Sequence, residues 1–486
     1  MRLLKRLVKW LAASVVLVIV TVGVLYAFFD LRLVVDSEGF HLRFVKTADD
    51  LAREIAEHRA AQRAEAPAPA APEPAEPVRA PSAGAPAAAA EPEAAPGPEP
   101  VSWSSFRGPR RDGRYIERPI VTAWPASGFT PMWKQPVGAG YASFAVARGR
   151  AFTIEQRGRQ EVVAAYDVET GRELWADAWD AYFSELMGGD GPRATPAWAD
   201  GFVYALGAAG ELRCLDGDTG HVVWRTNILA DHGAPNLQWG MAASPLVVGD
   251  VVVVLPGGPD GHSVAAYDRR TGAQAWSALD DKQAYAAPML ATIGGVRQIV
   301  VFSATRILGL APDGSRVLWE HAWPTFSDIN AAQPVVVSEN RIFVSSGYGV
   351  GAAVLELVPD GDRFRVREVW RNIRMKNQFS GSVYHNGFIY GLDEAILACV
   401  DAATGELRWK GGRYGFGQVA LAGDHLIVLT EDGDLALVRA TPERHEEIAR
   451  VPALDGKTWN YPAFSDGRLL VRNLQEMAAF DLRRER

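Results

Sequence analysis

Apolar and polar residues alternate in short runs along most of this chain, and one arrangement of them recurs. Ala164 to Trp175 reads AAYDVETGRELW. It returns as Arg213 to Trp224 (RCLDGDTGHVVW), Ala265 to Trp276 (AAYDRRTGAQAW) and Ala398 to Trp409 (ACVDAATGELRW). The shared kernel is small-x-apolar-Asp-x-x-Thr-Gly-x-x-x-Trp. Period-two alternation on both sides predicts two strands joined by a tight turn. Asp167 can fold its carboxylate onto the N–H groups of that turn. Gly171 supplies a positive φ that a Cβ would penalise. The tryptophan ends the outer strand, where a flat ring can wedge against the next unit. One unit is too small to bury both faces, so the units must stack.

Weaker copies fill the gaps: Leu308 to Trp319, Val354 to Trp370 with an Asp360-Gly361 turn, Leu435 to Val451 without the tryptophan, and Met477 to Leu482. The outer-strand ends then fall at Trp133, Trp175, Trp224, Trp276, Trp319, Trp370, Trp409 and near Ala449. Their spacing, roughly 39 to 52 residues, is that of a four-stranded propeller blade. Inner strands are legible between the kernels, as at 201–206, 250–255, 340–344 and 424–429, most of them after a Gly, Asp or Asn turn. The pattern predicts an all-β fold, an eight-bladed β-propeller of four-stranded blades. The segment ending at Asp481 lacks a fourth strand and the strand at Trp133 lacks its three predecessors. Joining them closes the ring and removes an exposed edge.

The N-terminal region obeys other rules. Arg2, Lys5, Arg6 and Lys9 precede an uncharged apolar run over residues 10–29, long enough to cross a bilayer as a helix. The basic flank (1–9) should stay cytoplasmic and the chain beyond the run should be translocated. A cleaved signal peptide competes with this reading, but the run is long for one and no small-x-small cleavage site comes after it. Within 30–64, Thr47 can cap a short helix to about Arg63, with Leu51, Ile55 and His58 on one face; it reads as a solvated spacer, with a partner-binding helix as the alternative. Residues 65–100 are nearly all Ala, Pro and Glu and read as an extended linker. Fully extended, this linker would reach on the order of 110 Å, enough to hold the domain at 101–486 clear of a membrane.

Composition narrows the function. The net charge of −8 leaves no basic footprint for nucleic acid. Cys214 and Cys399 are the two cysteines; they share one kernel position and read as buried small hydrophobes rather than a disulfide. The Asp216-Gly217-Asp218-Thr219-Gly220 stretch superficially matches the start of a Ca²⁺ loop. No Glu stands six residues beyond its Gly, so it reads as a structural turn. Gly347 to Gly351 is a glycine-rich hairpin without the strand–turn–helix context of a dinucleotide site. No Ser/His/Asp set or metal-spaced His pair is visible.

The kernel and the opening FRGPRRDG (Phe106 to Gly113) resemble the pyrroloquinoline-quinone-like (PQQ-like) β-propeller repeat family. The resemblance covers about Trp103 to Arg486. In that family the kernel tryptophans dock adjacent blades, which implies this role for Trp133, Trp175, Trp224, Trp276, Trp319, Trp370 and Trp409. Its members include quinone- and Ca²⁺-dependent dehydrogenases and the scaffold lipoprotein of the outer-membrane barrel-assembly machine, so fold does not settle function. The dehydrogenases have adjacent cysteines, a Ca²⁺-binding carboxylate and amide set, and an Asp base. No motif here matches that set, and the expected cofactor is none.

Residues just before each innermost strand should line one mouth of the channel. They are Tyr141 to Ser143, Arg193 to Thr195, Gln238 to Gly240, Tyr285 to Ala287, Asn330 to Gln333, Asn377 to Ser380, Gly415 to Gln418 and Trp459 to Tyr461. Arg193, Gln238, Trp239, Asn330, Gln333, Lys376, Asn377, Gln378, Trp459 and Asn460 are the candidate binding residues. The competing reading is ordinary axial packing. The sequence is therefore read as a single-pass inner-membrane protein, N-terminus cytoplasmic, with a non-enzymatic periplasmic propeller serving as scaffold or recognition module for an envelope protein partner. The alternatives are a quinone-dependent alcohol or sugar dehydrogenase and a small-molecule sensor.

Overall fold

The computed structural model describes residues 31–65, 103–125 and 127–483, with scattered positions between 10 and 25. Most of the apolar run at 10–29 and nearly all of the linker at 65–100 lie outside the described residues. Among the described residues no helix is long and apolar enough to cross a membrane.

Eight antiparallel sheets form the propeller. Blade 1 has strands Ala145–Ala147, Arg150–Arg157, Gln160–Asp167 and Glu173–Asp180, in order from the axis outward. Blades 2 to 7 repeat this meander, beginning at Ala197, Leu246, Met289, Val335, Val383 and Gln418. Blade 8 takes Ala463–Ser465, Arg468–Arg472 and Glu476–Asp481 from the C-terminal end and Trp133–Pro136 from far upstream. Ala479 pairs with Trp133 and Glu476 with Pro136. The ring closes by the strand exchange that the pattern predicts.

The kernel works across blade boundaries. Asp167 Oδ1 accepts from both the N–H and the hydroxyl of Thr170 at 2.8 Å. Asp216 and Asp268 do the same with Thr219 and Thr271. These bonds hold the Asp216 and Asp268 carboxyls below the ordinary carboxylate range. The carbonyl just after the kernel Asp then receives the indole N–H of the preceding blade. Trp133 donates to Val168 O (2.9 Å), Trp175 to Gly217 O (3.1 Å), Trp224 to Arg269 O (2.9 Å) and Trp370 to Ala402 O (2.9 Å). Trp409 donates to Thr441 O at 2.7 Å, and Trp276 lies on Gly314. Seven blades carry a bulge in the outer strand, each beside the tryptophan position, with Ala449 standing where the tryptophan is lost. A bulge adds local twist, which turns the ring toward the next blade. Trp319 departs from this pattern. Its indole donates to Gln298 Oε1 of its own blade, across Gly309 of the strand between them, whose missing side chain leaves room for both groups.

Both cysteines are buried and free, in blades 2 and 6. Burial pushes their thiols up to about 12.

Two N-terminal elements dock on the ring, so the spacer reading of the helix is corrected. A hairpin, Leu31–Asp36 with Gly39–Phe44, precedes helix Ala48–Glu65. The helix buries Leu51, Ile55 and Arg59. Arg59 donates to Gln135 Oε1 at 2.8 Å and Pro136 O at 3.0 Å, pairs with Glu173 and lies over the Tyr166 ring. The helix thus fills the seam between blades 8 and 1. Since residue 65 and residue 103 both lie on the propeller, the linker between them does not set the distance from a membrane.

Candidate functional site

Two openings of the central channel are treated differently. The face that carries the Asp-x-x-Thr-Gly turns, here the turn face, is closed by the chain itself. Trp103 O accepts from Val146 N of blade 1 and Ser104 O from Trp198 N of blade 2. Arg111 donates to Ser244 O (3.1 Å), Pro245 O and Pro288 O (2.7 Å) in blades 3 and 4. Arg107 crosses to Ser382 O of blade 6. Arg114–Tyr115 runs parallel to the inner strand of blade 7, and Tyr115 Oη accepts from Gly467 N of blade 8. Residues 103–115 are therefore a plug stitched to seven of the eight blades. Gly381 makes room for it: a Cβ there would fall 1.1 Å from Arg107 Nη1. Burial pulls the Arg111 guanidinium down to about 9.

Above the plug lies a cavity of about 210 Å³ that opens on the opposite face, the mouth face. Phe106 forms its floor, and its walls come from the connections between outer and next inner strands. Those connections bring Tyr141, Arg193, Trp239, Tyr285, Phe379 and Trp459 together, with Glu185 and Met187, and Tyr348 joins them from the turn between the second and third strands of blade 5. The rings form two clusters. Tyr141 stacks on Trp459 (5.2 Å, 26°), which also meets Phe379 at 4.7 Å; Trp239 lies 5.6 Å from Tyr285. Arg193 is held by Glu185 (3.2 Å), Gly189 O (2.9 Å) and Gly191 O, with its guanidinium over the Phe183 ring at 4.6 Å. Lys457 Nζ sits 3.8 Å from the Trp459 ring centroid and donates to Met187 O at 2.9 Å. Burial lowers its ammonium to about 8. The cavity is thus aromatic-walled, with Arg193 paired to Glu185 at its edge.

The ten candidate binding residues divide. Arg193, Trp239 and Trp459 line the cavity. Asn330, Gln333, Asn377 and Asn460 are buried in the wall, and their amides hydrogen-bond backbone carbonyls. Asn460, for example, donates to Gly140 O and Ala142 O at 3.0 Å. Lys376 pairs with Glu394 at 3.2 Å and Asp393 at 3.5 Å. Gln238 is exposed and Gln378 half-buried, outside the lining. Alignment to the kernel did not single out Phe106, Glu185, Met187 or Tyr348. Glu185 and Met187 sit in an irregular connection, and Phe106 arrives from outside the repeat.

The mouth is partly covered by the N-terminal hairpin. Ser37 N donates to both oxygens of Glu431, at 3.2 and 3.1 Å. The same carboxylate accepts from Trp459 Nε1 at 2.7 Å and Phe416 N at 3.2 Å.

Residues 158–411, more than half of the chain, match the family described as outer membrane protein assembly factor BamB, a set of PQQ-like β-propellers. The chain belongs to that family. It is 23% identical over 308 residues to the BamB of Bordetella pertussis, an alignment covering 62% of this chain and 72% of that protein. The crystal structure of BamB from Moraxella catarrhalis superposes with a TM-score of 0.53 at 16% identity, covering 74% of this chain and 99% of the other. Quinohemoprotein alcohol dehydrogenase from Comamonas testosteroni gives 0.55 at 12% identity, covering 79% and 80%. At such identities the two structures establish a shared fold.

One carboxyl in this BamB-family ring gives a pH prediction. Glu161 is wholly buried between blades 1 and 2, and its Oε1 accepts from Ala208 N at 2.9 Å. Burial pushes its carboxyl up to about 7. Between the unfolded value of 4.5 and 7 the native state holds the extra proton, so its contribution is full below that window and is lost as pH rises through it. Glu161→Gln keeps the acceptor without the charge. It should raise stability at pH 8 by about 2 kcal/mol and change little at pH 4, as read by urea denaturation midpoints at the two pH values.

Proposed function

We propose that this protein is a non-enzymatic scaffold of the cell envelope, held to the inner membrane by residues 10–29, whose propeller recognises another envelope protein. The observation that carries this reading is the plug. Arg107 and Arg111 close the axis with bonds to backbone carbonyls, so the broad faces of the ring are what remains for recognition. The BamB relatives, named as outer membrane protein assembly factors, support an envelope setting. The basic N-terminus with a translocation-competent apolar run behind it supports the orientation.

The axial side chains speak against a quinone–Ca²⁺ pair. Among the described residues no three His, Cys, Asp or Glu side chains converge as a metal site. The carboxylates at the mouth are already engaged, Glu185 by Arg193 and Glu431 by Ser37 and Trp459. The two cysteines lie in different blades.

Full-length protein is expected to sediment with inner membranes and to resist alkaline carbonate extraction. Photo-crosslinkers at the exposed turn positions Thr219 and Ala403 are expected to trap one discrete envelope protein. Release by carbonate would remove the anchor. Dye reduction with an alcohol or aldose, in the presence of the quinone and Ca²⁺, would replace the scaffold with an enzyme.

A further inference from the structure

We infer that the mouth face of the propeller lies against the lipid bilayer, with the N-terminal hairpin between them, and that the turn face points away. The inference rests on the proposal that residues 10–29 are the membrane anchor.

The path of the chain sets the orientation. The apolar run ends at Phe29, and the hairpin begins two residues later at Leu31. Its strands have six residues each, so the tip lies only about 20 Å from that start. That tip is fixed on the mouth face, where Ser37 N binds Glu431 in the middle-hairpin turn of blade 7. The helix after it begins on the same face. A Cβ on Gly158, in the corresponding turn of blade 1, would lie 3.6 Å from Asp49 Oδ1 and 3.7 Å from Ala52 Cβ. The helix then descends the outer wall. Gln62, near its end, reaches Gln135, and Gln135 donates to Gly171 O in a kernel turn. The chain leaves for the linker near the turn face and re-enters as the plug from that side. The end that meets the membrane is therefore bound to the mouth face.

Exposed apolar side chains give an independent reason. Among the described residues from 31 to 483, six large apolar side chains are more than half exposed. Leu186 (66%), Phe326 (76%) and Ile373 (66%) stand on connections around the mouth. Phe40 (68%) and Leu42 (53%) stand on the hairpin. Only Ile116 is on the opposite side. Apolar anchors gathered on one rigid face, beside a membrane-spanning run, suit the headgroup–acyl boundary of a bilayer. The opening of the aromatic cavity then faces lipid, and the kernel turns are left for a protein partner.

The test uses the full-length chain in lipid nanodiscs. The native cysteines are buried, so Leu186→Cys, Phe326→Cys and Ile373→Cys can each carry a fluorophore, as can Arg270→Cys and Ala403→Cys on the turn face. All five positions are exposed, so folding is not at stake. Lipids with a nitroxide on the headgroup should quench the three mouth probes and leave the two turn probes bright. Bright mouth probes, or quenched turn probes, on protein that still elutes with the discs would overturn the orientation while the anchor stands. Elution apart from the discs would overturn the anchor and the orientation with it. Mouth probes that stay bright in discs but become protected in native envelopes would assign that face to a protein partner and refute the bilayer contact.

Discussion

Trp224→Ala is expected to destabilise the propeller by about 3–5 kcal/mol, among the larger effects of a single truncation. Trp224 is buried in the seam between blades 2 and 3, packed with Val252, Val254 and Tyr267 of the later blade. Alanine leaves a cavity that the two rigid sheets cannot collapse to fill, and it strips a donor from Arg269 O. The cost at Trp276, which is only half-buried, should be smaller. A second variant makes the seam argument sharper. Gly272 sits at φ +74° beneath the Trp224 ring, and a Cβ there would lie 2.7 Å from Trp224 Cδ2. Gly272→Ala alone should cost for two reasons, left-handed backbone strain and collision with the ring. In the Trp224→Ala background the collision is gone and only the strain remains. The two changes should therefore be less than additive, by roughly 1–2 kcal/mol. Denaturation midpoints of the four proteins measure this. Strict additivity would mean that the kernel glycine serves its own turn and not the neighbouring blade.

That pair of residues also shows why the fold could be read from the sequence. Asp, Thr and Gly satisfy needs within five residues, and the tryptophan satisfies one need in the next unit at a fixed offset, so each repeat carries the same letters. Ring closure came from counting those units. The plug carries no such signature. Arg107 and Arg111 bind backbone carbonyls, which every residue type supplies, so nothing in blades 3, 4 and 6 marks them as partners beyond Gly381. Trp319 has its kernel position, yet Gln298, two strands away in the same blade and reached across Gly309, redirects it, and a kernel alignment does not register that amide. The candidate site was legible in part for the same reason. Alignment located the connections that surround the mouth, and Arg193, Trp239 and Trp459 came from it. It could not separate side chains that face the cavity from Asn330, Asn377 and Asn460, whose amides turn into the wall to hold it together. Nor could it foresee that a hairpin and helix before the linker would pack onto the ring.

Arg472→Met should cost about 3–5 kcal/mol and should loosen the ring at its closure rather than uniformly. Arg472 is fully buried on the second strand of blade 8 and reaches into blade 1. It donates to Thr153 Oγ1 at 2.7 Å, Gly138 O at 2.6 Å, Ile154 O at 3.3 Å and Gly140 O at 3.4 Å. Beside it lies Glu155, which has no exposed surface. Burial alone would raise the Glu155 carboxyl, but Arg157, Arg472 and Arg59 outweigh that and hold it below the ordinary range. Methionine fills similar volume, so packing is nearly kept. What is lost is a set of donors to buried acceptors and part of the charge that balances Glu155, and both losses are costly where water cannot enter. Lysine would not repair them, because one ammonium cannot span four acceptors as a guanidinium does. Through Gly138 O and Gly140 O, Arg472 also holds the connection that follows Trp133–Pro136, the strand that completes the sheet of Glu476–Asp481 and joins the chain ends. Hydrogen exchange in the variant should therefore rise first in those two strands, while the kernel strands of blades 3 to 6 keep their protection. Equal loss of protection in every blade would show that the ring unfolds as one unit and that its closing seam is no weaker than the rest.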